Sequence, residues 1–341
     1  MHGLPASFAL VILASIFQGT FGLGMKYVRP LAWEAWWLVY SFIAMVLVPV
    51  ACAVIFVPDL MSSIGSAPPG VVWKAMLFGF LWGVGGILFG KSVERIGIAL
   101  TYGIVMGLAA SVGSLVPLAS EHRMVSTTAF RWIVGGNLLM LVGVAISALA
   151  GVRRENLTSS ASQTRAGATG LRAGLAMAIL CGLLSALLNI GFVAAQPIAG
   201  VAVMHGAVAH NASFAAWVVV LVGAFVMNGG YAVLLLSANG TWRSFGVEKA
   251  YIGWKWALAS GMLWFAALGV YGQGAALMGS LGPVVGWPML LGLALIVSNG
   301  LAVHAGEWKG AGEALQWMVV AVAILLIACC CLGYSNRVLH G

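Results

Sequence analysis

Apolar runs, each about 20 residues long, follow one another along the chain with only short polar punctuation between them. They lie near 6–28, 33–57, 72–90, 97–119, 129–151, 172–198, 212–237, 255–278, 281–303 and 313–334, ten in all. Each is long enough to cross a hydrocarbon core as a helix. Only helices or closed barrels satisfy their backbone polar groups there. The runs are continuous rather than alternating in polarity, so the pattern predicts helices and not barrel strands. The first run does not read as a cleaved leader. It lacks a basic start, and Gln18 and several glycines lead into Lys26 instead of a cleavage site.

Two stretches match at a constant offset of 182 residues. Ala75, Gly79, Leu81, Trp82, Gly90, Gly97 and Leu108 recur as Ala257, Gly261, Leu263, Trp264, Gly272, Gly279 and Leu290, and Phe89 is answered by Tyr271. A chain of this composition gives roughly three such identities by chance. Each copy covers the third and fourth runs of a five-run half. An odd number of crossings turns the second copy upside down in the membrane. Inverted repeats are a hallmark of secondary transporters. The expected architecture is therefore all-α, with ten transmembrane helices arranged as a five-plus-five inverted repeat.

Composition agrees: 62% of residues are hydrophobic and 7% charged, too little polar surface for a water-soluble fold of this size. The stretch from Gly151 to Gly170, rich in Ser, Thr, Arg and Gly, reads as a linker. It separates a first repeat over 1–151 from a second over 172–341, with residues 152–171 between them. The other loops leave no room for a soluble domain, so a site must lie within the membrane. The net charge of +8 follows topology and is no nucleic-acid signature. Lys74, Arg123, Arg131 and Arg337 fall on one side. The other twelve Lys and Arg, including Arg153, Arg154, Arg165 and Arg172, fall on the opposite side. The positive-inside rule makes the richer side cytoplasmic and puts both termini outside. Cys52, Cys181 and Cys329–Cys331 sit within runs as small apolar residues, with no metal spacing.

No enzyme motif is present, no cofactor is expected, and His205, His210 and His304 are isolated near run ends. The informative residues are polar or aromatic side chains deep in the runs. Gln18, Asn189, Asn228, Tyr231, Trp264, Tyr271, Trp287 and Asn299 form that set, with Tyr102 near the end of the fourth run. Amides exchange hydrogen bonds with hydroxyls and aromatic faces cover the apolar side of a sugar ring. The same amides could instead bridge helices. Glycine pairs at spacing four (Gly79/Gly83, Gly86/Gly90, Gly103/Gly107, Gly282/Gly286) are expected to pack helices closely. Pro283 and Pro288 are expected to break the ninth run and open a cavity wall. Of eight acidic residues none is mid-run. A proton-coupled carrier needs a shielded carboxylate. Glu34, within Trp33-Glu34-Ala35-Trp36-Trp37, is the candidate, against the plainer reading of a headgroup-level ion pair with Lys26 or Arg29. Lys91, Glu94 and Arg95 read as a charged loop network.

An ordered set of segments resembles the L-rhamnose–proton symporter family of the drug/metabolite transporter superfamily. It comprises Met25-Lys26-Tyr27, Trp33-Glu34 with Trp37, Arg95-Ile96-Gly97, Gly113–Leu118, Leu184-Ser185-Ala186 with Asn189, Gly279–Pro288 and Gly306–Ala311. The resemblance implies ten helices, a five-plus-five inverted repeat, and proton-driven uptake of a deoxy-sugar across a bacterial inner membrane. The partners expected are thus a small sugar, protons and the bilayer. The alternative is an exporter or exchanger of the same fold, moving an amino acid or nucleotide-sugar. An intramembrane enzyme or receptor would need a catalytic constellation or an extramembrane domain, and the chain shows neither motif.

Overall fold

The computed structural model describes residues 4–121, 126–158 and 168–340. Arg123 and Arg165, used in the charge count, lie outside them. Thirteen α-helices are described: α1 (Leu4–Thr20), α2 (Trp33–Phe42), α3 (Val48–Phe56), α4 (Leu60–Ser66), α5 (Pro69–Ile96), α6 (Ile98–Glu121), α7 (Thr127–Thr158), α8 (Ala168–Ala194), α9 (Gln196–Met204), α10 (Ser213–Ala238), α11 (Ala250–Leu277), α12 (Gly282–His304) and α13 (Gly312–His340). No strand occurs among the described residues. Nine helical stretches among them are long and apolar enough to cross a membrane. Helix α11 fills the eighth expected run, but its glycines, tryptophans and tyrosines keep it outside those nine.

Local chemistry explains the joints. A 3-10 turn, Phe21–Tyr27, extends α1. A π-helical turn, Ile43–Leu47, joins α2 to α3 just before Pro49. Proline has no N–H to bond the Met45 carbonyl four residues back, and the helix widens there. Pro197 in the first turn of α9 likewise separates it from α8. Gly97 and Gly279, at φ +81° and +83°, occupy the left-handed region after α5 and α11, where a side chain would be strained.

Three expectations change. Lys91, Glu94 and Arg95 are in the last turns of α5, not in a loop, and Arg95 Nη1 donates to the Lys91 carbonyl at 2.7 Å. The linker is shortened from both sides, because α7 runs to Thr158 and α8 resumes at Ala168. Pro283 does not break the ninth run. It sits in the first turn of α12, where a missing N–H removes no helix bond.

The chain forms two compact units. The first comprises Val84–Ile190 and Met278–Gly341, and the second Pro5–Gly83 and Gly191–Leu277. In the first unit α7 packs along α6 and α13, and α12 packs against α6 and α13. In the second, α10 packs on α2, α3 and α9, while α11 packs on α2 and the Phe21–Tyr27 turn. Small residues carry several of these approaches. A Cβ on Gly79 would overlap the Val220 carbonyl, one on Gly223 the Met76 carbonyl, and one on Gly103 the Ala148 side chain. Gly86 and Gly90, expected to pack, instead meet nothing within 4 Å of an added Cβ and are exposed.

Candidate functional site

In the first unit the site residues are organised by two prolines. Pro117 lies inside α6 and Pro288 inside α12. Each lacks the N–H that would bond the carbonyl four residues earlier, which frees Gly113 and Val284. Both carbonyls have found side chains. Asn189 Nδ2 on α8 donates to the Gly113 carbonyl at 2.8 Å and to that of Pro283 at 3.2 Å. Ser114 Oγ donates to Val284 at 2.6 Å. Asn137 Nδ2 on α7 donates in turn to Ser114 Oγ at 3.2 Å. Trp287 Nε1 donates to the Ala109 carbonyl at 2.9 Å, and its indole lies where a Cβ on Gly113 would be, 2.7 Å from Nε1. In hydrocarbon an unmet carbonyl costs several kcal/mol. Asn189 thus fills the bridging role that the sequence left open for the amides, and Trp287, for which no such role was expected, bridges α12 to α6 as well. Ser114 and Asn137 were missed; the signal was a hydroxyl or amide near a mid-span proline.

The same unit holds a mostly apolar cavity of about 230 Å³ whose lining includes the polar residues Tyr102, Ser147, Arg154, Glu155, Ser298 and Asn299. Asn299 Nδ2 donates to its own helix at Leu295, 2.9 Å away. Arg154 lies 3.5 Å from Glu307 and stacks over Trp308 at 5.0 Å. Tyr102 and Asn299, far apart in sequence, therefore share one wall.

The second unit holds a connected row of aromatic rings. Trp36 stacks on Tyr40 with centroids 5.3 Å apart and planes 7° from parallel. Tyr40 meets Trp264 edge-on at 6.4 Å, and Trp264 lies 5.5 Å from Trp82. Tyr271 belongs to a neighbouring group with Phe192 and Trp217, at 5.9 and 6.3 Å. Helix α1 runs antiparallel to α11. Gly274 faces Ser7 and Val11, while Ser260 Oγ donates to the Phe21 carbonyl at 2.9 Å. That register sets Gln18 level with the stretch of α11 between Trp264 and Tyr271. The Gln18 Oε1 is buried and has no hydrogen-bond partner among the described residues; neither has Ser41 Oγ nor Trp36 Nε1, both on α2. Buried polar atoms nearly always have partners, so these three stand out beside the aromatic row. Asn228 bonds its own helix at Ala224, 3.0 Å away, and sits against Gly83. Tyr231, three residues on, is half-buried. Sequence reasoning missed Trp36, Tyr40, Ser41 and Trp82 as site residues, although Trp82 stood in the repeat.

Glu34 is 7% exposed in the first turn of α2. Its Oε1 accepts from Thr241 Oγ1 at 2.6 Å and Asn239 Nδ2 at 3.0 Å, just past the end of α10. The Ala32 N–H donates to Ser244 Oγ in the same segment. A hydroxyl and an amide thus hold the carboxylate, partners that nearby sequence did not suggest.

Among known proteins, the model of the family described as "L-rhamnose-proton symport protein (RhaT)" matches residues 7–337. The L-rhamnose-proton symporter of Shigella dysenteriae serotype 1 is 24% identical over 325 residues, covering 91% of this chain and 92% of its own. That of Pectobacterium carotovorum is 23% identical, covering 89% and 90%. One solved crystal structure of a protein has the same fold, with a TM-score of 0.57 at 15% identity, covering 95% of this chain and 98% of that one. The family model matches nearly the full length of the chain, and the chain belongs to the L-rhamnose-proton symport protein (RhaT) family.

Proposed function

We propose that this protein is a secondary transporter that takes up L-rhamnose or a related sugar with protons across the bacterial inner membrane. The observation that carries the reading is the family match over residues 7–337, with relatives named as L-rhamnose-proton symporters over about nine-tenths of the chain. The second unit supplies suitable chemistry. Rings of Trp36, Tyr40, Trp82 and Trp264 offer faces to the C–H side of a deoxyhexose. Gln18 and Ser41 offer hydrogen bonds to its hydroxyls, with Tyr271 on the helix of Trp264 and Asn228 and Tyr231 on α10. In the first unit Asn189 and Trp287 hold the proline-bearing helices, and Asn299 lines the cavity beside Tyr102 and Arg154. Glu34 is the proton-coupling carboxylate of this reading.

The reading includes ten crossings in two inverted halves, 1–151 and 172–341, joined by residues 152–171, with periplasmic termini. Three observations support the halves. Helices α5 and α11 each have 28 residues. Gly97 and Gly279, 182 residues apart, share a left-handed backbone. Within the units, several packed pairs join counterpart runs: α2 and α3 with α10, α6 with α12, α7 with α13. The test is uptake of labelled L-rhamnose by proteoliposomes under an inward proton gradient. Accumulation that collapses with a protonophore is expected. Accumulation of an amino acid with no 6-deoxyhexose uptake would overturn the proposal.

A further inference from the structure

A groove of about 710 Å³ opens on the second unit, apart from every residue given a role in sugar transport. Its walls come from four segments: Phe42 on α2, Phe225 on α10, Phe245 in the 3-10 turn Thr241–Gly246, and Tyr251, Trp254 and Lys255 on α11. Phe42 meets Phe225 edge-on at 5.9 Å, and Phe245 lies 5.6 Å from Trp254. Lys255 Nζ sits 5.1 Å from the centre of the Tyr251 ring and is the sole charged group among the lining residues.

The groove is graded along its length. Lys255, Tyr251 and Trp254 fall within the first turns of α11, within about 8 Å of its start at 1.5 Å per residue. Phe42 lies about 14 Å into its helix from Trp33, and Phe225 about 20 Å from the end of α10. The aromatic and cationic end is thus at headgroup level and the phenyl end at hydrocarbon depth. Arg243 and Lys249 stand in the segment beside the cationic end, with Glu248 as the acid among them. Walls that are mostly hydrocarbon, with polar atoms only at the Tyr251, Trp254 and Lys255 end, offer little to a polyol, and an ammonium at the mouth repels lipophilic cations.

We propose that this groove is a binding site for one anionic phospholipid, its acyl chain along Phe42 and Phe225 and its phosphate on Lys255. Lysine near a membrane surface favours anionic lipid by about fivefold. The site belongs to the richly basic side of the protein and stands independently of the sugar assignment.

The test is native mass spectrometry of the full-length protein released from nanodiscs of equimolar phosphatidylglycerol and phosphatidylcholine with identical acyl chains. One retained phosphatidylglycerol per chain is expected. Lys255→Gln should lower the preference about fivefold, while Lys255→Arg keeps it, which separates charge from misfolding. Leu258→Trp, at a residue that lines the groove, should expel both lipids. Equal retention of the two lipids by the unaltered protein, or a preference indifferent to Lys255→Gln, overturns the proposal.

Discussion

Trp82 and Trp264, 182 residues apart, face each other with ring centroids 5.5 Å apart and planes 30° from parallel. They are also counterparts in the sequence repeat. Two copies of one residue that touch must lie close to any axis relating the halves, and transporter sites lie at such repeat interfaces. Truncating either ring should therefore weaken sugar binding. Trp264→Ala is expected to raise the KM for rhamnose about tenfold, on the order of 1.4 kcal/mol, with Trp264→Phe intermediate. If the pair only packs helices, both variants would lower the thermal midpoint and leave KM unchanged.

Asn189 is expected to matter because of Pro117. Proline frees the Gly113 carbonyl, and Asn189 Nδ2 takes it up at 2.8 Å. Asn189→Leu should destabilise the protein by about 1–3 kcal/mol, the cost of a buried polar group left unmet. In a Pro117→Ala background the helix can bond Gly113 itself, so the same substitution should cost about half as much or less. A double-mutant cycle on detergent-solubilised protein measures the difference. Additive effects would contradict the pairing.

Much of this was legible in the sequence because hydrophobic runs and helix geometry are local. Nine of the ten expected runs match helical stretches suited to crossing a membrane, and α11 stands where the remaining one was expected. Element ends were less legible. Lys91, Glu94 and Arg95 looked like loop residues, yet the helix continues until Gly97 gives the chain its left-handed exit. Candidate site residues stood out in the sequence by type and not by partner. Gln18 and Trp264 stood out as polar or aromatic residues deep in apolar runs. Nothing in the sequence around Glu34 signals that Asn239 and Thr241 meet it from more than 200 residues away. Proline is the exception. Its effect falls four residues back, so the need for partners at Gly113 and Val284 is already written in the positions of Pro117 and Pro288.

Glycines that look alike in sequence should respond in opposite ways. Gly79 lies against the Val220 backbone, which cannot move aside cheaply, whereas Gly86 meets nothing within 4 Å of an added Cβ. Gly79→Ala is expected to cost about 1–3 kcal/mol through overpacking. Gly86→Ala, inside the same helix, should be neutral or stabilising by about 0.5–1 kcal/mol from lower backbone entropy in the unfolded chain. Thermal midpoints in detergent compare the two directly, and equal effects would remove the distinction between packed and open faces of α5.

Glu34 combines burial with a position at the start of a helix whose next turns carry Trp36, Tyr40 and Ser41. Its Oε1 is held by Thr241 and Asn239, so a change in its charge would alter how the start of α2 is tied to the segment after α10. In the proton-coupled reading, protonation weakens these bonds and lets the two segments part. Glu34→Gln mimics the protonated side chain in size and charge. It should keep exchange of internal for external rhamnose under counterflow, which needs no proton movement, and lose accumulation driven by an acid exterior. Thr241→Val removes one bond but leaves the carboxylate, so it should slow transport while keeping its dependence on the gradient. Gradient-driven accumulation undiminished in Glu34→Gln would take this residue out of the coupling mechanism and leave it a fastening for the end of α10.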